Sequence, residues 1–72
     1  MDRTWDAWRV REAVDRLPPD ERELVRLQHF EGLTHTEIGE RLGVALGTVK
    51  SRSHRAHHRL AGQLRRLQEA DG

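Results

Sequence analysis

Residues 34–60, THTEIGERLGVALGTVKSRSHRAHHRL, contain two helices and the turn that joins them. Thr34-His35-Thr36-Glu37 has the form of a capping box, in which a threonine hydroxyl and a glutamate carboxylate each satisfy a backbone amide left over at a helix start. The spacing predicts a helix over 35–42, with Ile38 and Leu42 inward and Gly43 in the left-handed conformation that closes many helices. Gly39 inside that helix costs roughly 1 kcal/mol relative to alanine, which implies that another helix backbone approaches there. Gly43-Val44-Ala45 then forms a short turn, and a long helix is predicted over 45–68.

At about 100° per residue the faces of this last helix separate. Val49, Ser53, Ala56, Leu60, Leu64 and Leu67 make one stripe; Lys50, Ser51, His54, Arg55 and His58 lie opposite, and Arg52 and Arg59 share a flank. A solvated helix of this length ordinarily interleaves acids with its bases for i, i+4 support. Here no acid occurs between Glu40 and Glu69.

The rest of the chain shows the opposite balance. Residues 1–40 carry 6 basic and 10 acidic side chains, whereas residues 41–68 carry 7 basic and none acidic, so a net charge of +1 conceals a strongly basic second half. Such asymmetry points to a polyanion partner, nucleic acid before a membrane surface. Upstream, Pro18-Pro19 and Gly32 divide the chain into helices over 4–17 and 20–31. Asp20, Glu21 and Glu23 complement the positive end of the second helix. The expected fold is therefore all-α: a small four-helix domain spanning 1–72, containing a helix-turn-helix with a long C-terminal recognition helix.

Seventy-two residues with no cysteine exclude a disulfide framework and a thiolate zinc site, and fit a reducing, cytoplasmic location. No apolar run reaches the roughly 18 to 20 residues of a membrane span, and Met1-Asp2-Arg3-Thr4-Trp5 lacks the apolar region of a signal peptide. No phosphate loop, nucleophile elbow or carboxylate pair appears, so neither catalytic residues nor a cofactor is expected. His54, His57 and His58 stand at i, i+3, i+4, but no carboxylate or thiolate accompanies them within a turn, so no metal site is expected either. Trp5, Trp8 and Phe30 either fill the core or form a patch for a protein partner.

A helix fits the major groove, where its first turns approach base edges. Lys50 and Arg55 are long enough to donate to guanine, Ser51 can donate or accept, and His54 shares their face. Arg52 and Arg59 on the flank suit phosphates, as do the helix starts at Thr34 and at Gly47-Thr48.

Residues 17–60 resemble region 4 of bacterial RNA polymerase sigma factors, specifically of the extracytoplasmic-function group. The resemblance rests on Leu17-Pro18, on Glu31-Gly32-Leu33-Thr34 with Glu37-Ile38, and on Gly47-Thr48-Val49-Lys50-Ser51-Arg52 followed by His54-Arg55-Ala56, in this order and spacing. It implies recognition of the minus-35 element of double-stranded promoter DNA by the last helix, with Lys50, Ser51 and Arg55 at base-proximal positions and Gly47, Thr48 and Arg52 at backbone-contacting ones. It also implies partnership with the flap of core RNA polymerase and sequestration by an anti-sigma factor; many such inhibitors bind zinc themselves. The promoter-melting region 2 of such factors does not fit in this length, so the sequence is expected to be a C-terminal part of a longer protein.

Three positions depart from the family pattern. Ser53 stands where a large aliphatic is usual, so a leucine there is expected to stabilise the domain; Ala45 forgoes a capping hydroxyl worth ~1 kcal/mol; and His57-His58 replace a more basic pair. LuxR-type response-regulator output domains share the 31–50 pattern and are the alternative, but they usually continue into an aliphatic dimerisation helix rather than Ser51-Arg52-Ser53-His54-Arg55-Ala56.

Overall fold

The computed structural model describes the backbone of residues 3–71 and the side chains of residues 8–66. Four α-helices follow one another: α1 (Arg3–Asp15), α2 (Pro19–Val25), α3 (His35–Leu42) and α4 (Leu46–Asp71), and no strand occurs among the described residues. The all-α expectation and the four-helix count hold, with shifted boundaries in α1, α2 and α4.

α1 stops at Asp15 rather than at 17. The amides of Arg16 and Leu17 turn to the carbonyls of Ala13 and Val14, at 3.2 and 3.0 Å, which tightens the last turn ahead of the two prolines. α4 starts one residue later than predicted and runs further, to Asp71. At about 1.5 Å per residue, its 26 residues account for the 40 Å long axis of the domain.

The larger difference lies in the second segment. The pattern predicts an unbroken α-helix over 20–31, but from Arg26 to Phe30 the backbone widens into a π-type turn. Glu31 N–H donates to the Arg26 carbonyl, five residues back, at 3.1 Å. Gly32, at φ 74°, then reverses the chain, and Leu33 N–H returns to the Leu27 carbonyl at 3.0 Å. A π-type turn inserts a residue into a helix and so rotates the downstream residues about its axis, and such turns recur at functional sites.

The predicted punctuation of α3 is present in full. Thr34 Oγ1 accepts from Glu37 N–H at 3.1 Å, while Thr34 N–H donates to the Glu37 carboxylate at 2.8 Å. At the other end Gly43 adopts φ 71°, and both Gly43 N–H and Val44 N–H converge on the Gly39 carbonyl. Gly39 is buried, and a β-carbon there would meet the Val44 carbonyl oxygen at 3.0 Å and Val49 Cγ2 at 3.5 Å. The close approach is therefore to the backbone of the turn and a side chain of α4, rather than to a second helix backbone.

Two apolar clusters hold the helices together. Ala13, Val14, Leu17, Val25, Ala56 and Leu60 join α1 and α2 to the middle of α4, with Val10 and Leu64 beside them. Leu24, Leu27, Ile38 and Val49 join α2 and α3 to the start of α4, flanked by Leu33, Leu42 and Val44. Burying each large aliphatic contributes roughly 1.5 to 3 kcal/mol. Val49 belongs to one cluster and Ala56 and Leu60 to the other, so α4 spans both, and Ser53, also buried, sits between them.

Candidate nucleic-acid interface

α4 is anchored by its apolar stripe, and everything on its far side faces out. Gly47, Thr48, Lys50, Ser51, His54, Arg55 and His58 are exposed, while Val49, Ser53, Ala56 and Leu60 are buried. The four residues expected to read bases, Lys50, Ser51, His54 and Arg55, thus lie together on one solvent-facing surface. His54 and His58 stack with ring centroids 6.5 Å apart, and with Arg55 and Arg59 they line a shallow concavity. Thr34 is exposed at the start of α3, with its amide and hydroxyl oxygen both engaged by Glu37. Those contacts, the backbone amide first, hold the Glu37 carboxyl below its ordinary value, with Arg41 adding a smaller pull in the same direction.

The flank arginines are less free than spacing alone suggests. Arg52 is half-buried, with Nε 3.5 Å from Asp20 Oδ2. Arg59 donates from Nε to Glu21 Oε1 at 3.0 Å, and Glu21 is itself buried at 4% exposure. The acids that open α2 therefore do more than complement a helix dipole: they grip α4 along one side. The sequence gives no signal for these pairings, since Glu21 and Arg59 stand 38 positions apart.

On the other side of α4 is a polar cluster that sequence reasoning missed. Ser53 Oγ lies 3.4 Å from Gln28 Oε1 and 3.1 Å from His57 Nδ1, and His57 Nε2 is 2.7 Å from His29 Nε2. Gln28 and His29 belong to the π-type turn, whose rotation could not be read from residue types. This cluster also revises the expectation for Ser53: the position is inward as predicted, but its hydroxyl is occupied, and a leucine would have to displace Gln28 and His57.

Of the aromatic residues, Trp8 and Phe30 are on the surface, 55% and 42% exposed, and the Arg11 guanidinium lies 5.1 Å from the Phe30 ring centre. Neither fills the core. The Trp5 side chain lies outside the described residues.

Residues 7–60 match the family described as sigma-70, region 4. Over 52 residues the chain is 52% identical to the ECF RNA polymerase sigma factor SigE of Mycolicibacterium smegmatis, covering 72% of this chain and 20% of that one. It is 38% identical over 58 residues to the ECF RNA polymerase sigma factor SigW of Bacillus subtilis, covering 81% and 31%. It is also 37% identical over 60 residues to the RNA polymerase sigma factor SigZ of the same organism, covering 83% and 32%. The chain thus spans between a fifth and a third of the length of these relatives. No helix among the described residues is long and apolar enough to cross a membrane.

Proposed function

The chain belongs to the sigma-70 region 4 family, in its extracytoplasmic-function group, and from that premise we propose that it is the minus-35 promoter-binding part of a transcription initiation factor. The observation that carries this reading is the surface of α4. Lys50, Ser51, His54 and Arg55 project from the side of the helix opposite its buried stripe, in a stretch with no carboxylate to repel phosphate. A helix so mounted enters the major groove, with Lys50 and Arg55 suited to guanine edges and Ser51 and His54 to adjacent positions. Gly47 and Thr48 lie at the start of α4, where amides and hydroxyls meet phosphates, while Thr34, its amide held by Glu37, has its hydroxyl hydrogen to donate. Arg52 and Arg59 reach phosphates only by sharing themselves with Asp20 and Glu21, so their contribution is smaller than that of free arginines.

The partners in this reading are double-stranded promoter DNA, the flap of core RNA polymerase, and an anti-sigma factor that covers the domain. Trp8 and Phe30, exposed on the side of α1 and the π-type turn, supply apolar area for one of the two protein partners. A single helix-turn-helix buries only ~600 to 1,000 Å² on DNA, and nonspecific binding by such modules lies near 10⁻⁴ to 10⁻⁶ M. Promoter affinity then comes from tethering by the polymerase, which raises effective concentration without new contacts. Titration of the chain against a promoter duplex at ~150 mM salt tests this. Weak, salt-sensitive binding that strengthens when core polymerase is added is expected; sub-nanomolar binding by the chain alone would point to an autonomous regulator instead.

A further inference from the structure

The polar cluster between the π-type turn and α4 has a hydrogen-bonding order that its distances fix. His57 Nδ1 lies 2.7 Å from the Ser53 carbonyl oxygen. A carbonyl only accepts, so Nδ1 carries the hydrogen. In the neutral ring Nε2 is then a bare acceptor, and the nitrogen 2.7 Å away, His29 Nε2, must be the donor. Since Nδ1–H also faces Ser53 Oγ at 3.1 Å, the hydroxyl accepts there and donates onward to Gln28 Oε1. The rings meet tip to tip, since centroids 5.0 Å apart leave room for nothing but a nearly straight line through the two Nε2 atoms, and their planes are turned 76° about it.

Protonation acts on this order in two steps. One added proton leaves a donor and an acceptor between the rings, because the uncharged ring still offers a lone pair. A second proton places two N–H groups and two positive charges nose to nose.

We propose that the His29–His57 pair is a positioning contact for α4, which fixes the groove-facing half of that helix on the π-type turn and holds only while the two rings together carry no more than one positive charge. The location gives the contact its leverage. His57 lies one turn beyond Ser53, the buried residue between the two apolar clusters, so the pair braces α4 where its apolar grip is interrupted. The arginines of the neighbouring elements are engaged with other groups. On α3, Arg41 is engaged with Glu31 at 3.8 Å; on α1, Arg11 lies over Phe30; on α4, Arg52 and Arg59 face Asp20 and Glu21. His29 is exposed on its outer side; partial desolvation, and then the charge of His57, lower its proton affinity. A folded state that resists a proton the unfolded chain accepts is fully stable above the ordinary histidine range, near pH 6.5, and loses stability as pH falls below it.

The functional consequence rests on α4 being the DNA-reading helix, but the contact itself does not, and its test uses no DNA. Imidazole nitrogen NMR of the 72-residue chain at about pH 7.5 is expected to show His57 protonated on Nδ1 and His29 on Nε2, with a signal shared across the two rings. Thermal melting between about pH 7.5 and about pH 5 is expected to show a falling Tm, with at least half of the fall abolished in His29→Gln, whose amide keeps a donor but cannot be charged. His29→Gln combined with His57→Gln should change the slope no further than either alone, and the exposed pair variant H54Q/H58Q should keep the wild-type contribution. An Nε2-protonated neutral His57, or an undiminished slope in His29→Gln, would overturn the proposal. Should the variants not fold, the tautomers of the unaltered chain decide.

Discussion

The two long faces of α4 are built by opposite rules. The inner face, Val49, Ala56 and Leu60, is apolar and buried in two clusters, and a change there is felt by α1, α2 and α3 at once. The outer face, Lys50, Ser51, His54 and Arg55, is exposed, so its chemistry can vary with little effect on the core. One helix can therefore be altered for stability or for binding independently, provided the substitution is placed on the right side.

The largest effect should come from the inner face. Leu60→Ala is expected to destabilise the domain by about 2 to 5 kcal/mol, read from the denaturant midpoint, which for so small a core approaches complete unfolding. On the outer face, Lys50→Ala and Arg55→Ala should leave melting unchanged while each weakens binding to a promoter duplex by about 1 to 3 kcal/mol, more on the cognate sequence than on random DNA. Loss of stability in these two variants would break the division between faces.

Ser53, a polar residue on the inner face, and Arg52, on the flank between the two faces, sharpen the comparison. Ser53→Leu adds apolar area but strands Gln28 and His57 and crowds a closed position. A loss of about 1 to 3 kcal/mol is expected by calorimetry, where sequence pattern alone suggests a gain. Arg52→Ala should weaken all DNA sequences alike, lowering the salt slope by less than one charge because Asp20 already holds part of that arginine. The smallest effect belongs to the α3 cap. Glu37, held below its ordinary value chiefly by the Thr34 amide, stabilises α3 above about pH 4.5, and that contribution fades as pH falls further. Glu37→Gln should flatten the acid limb of a pH–melting curve.

Legibility in the sequence tracks the range of the interactions. Thr34 with Glu37, Gly32, Gly43 and the proline pair act within a turn of themselves, and the helix starts and stops they announce lie within a few residues of the expected places. The division of α4 also comes from local periodicity. By contrast, no residue type in 26–30 marks the π-type turn, which forms where Leu24 and Leu27 are buried against Ile38 and Val49. The Asp20–Arg52, Glu21–Arg59 and His29–His57 contacts depend on that settled geometry, which is why Arg52 and Arg59 could be assigned to a flank but not to their acid partners. Exposure of Trp8 and Phe30 was likewise beyond reach, since an amphipathic count does not say which large residue a small core leaves outside.

The central claim is that the outer face of α4 is the surface that meets DNA. Amide and side-chain NMR shifts of the labelled chain, followed while a short promoter duplex is added, test it directly. The account predicts that perturbations concentrate at Thr48, Lys50, Ser51, His54 and Arg55, with smaller changes at Thr34 and Arg52, and that Trp8 and Phe30 stay still. Shifts centred on Trp8, Arg11 and Phe30, with Lys50 to Arg55 unmoved, would contradict it.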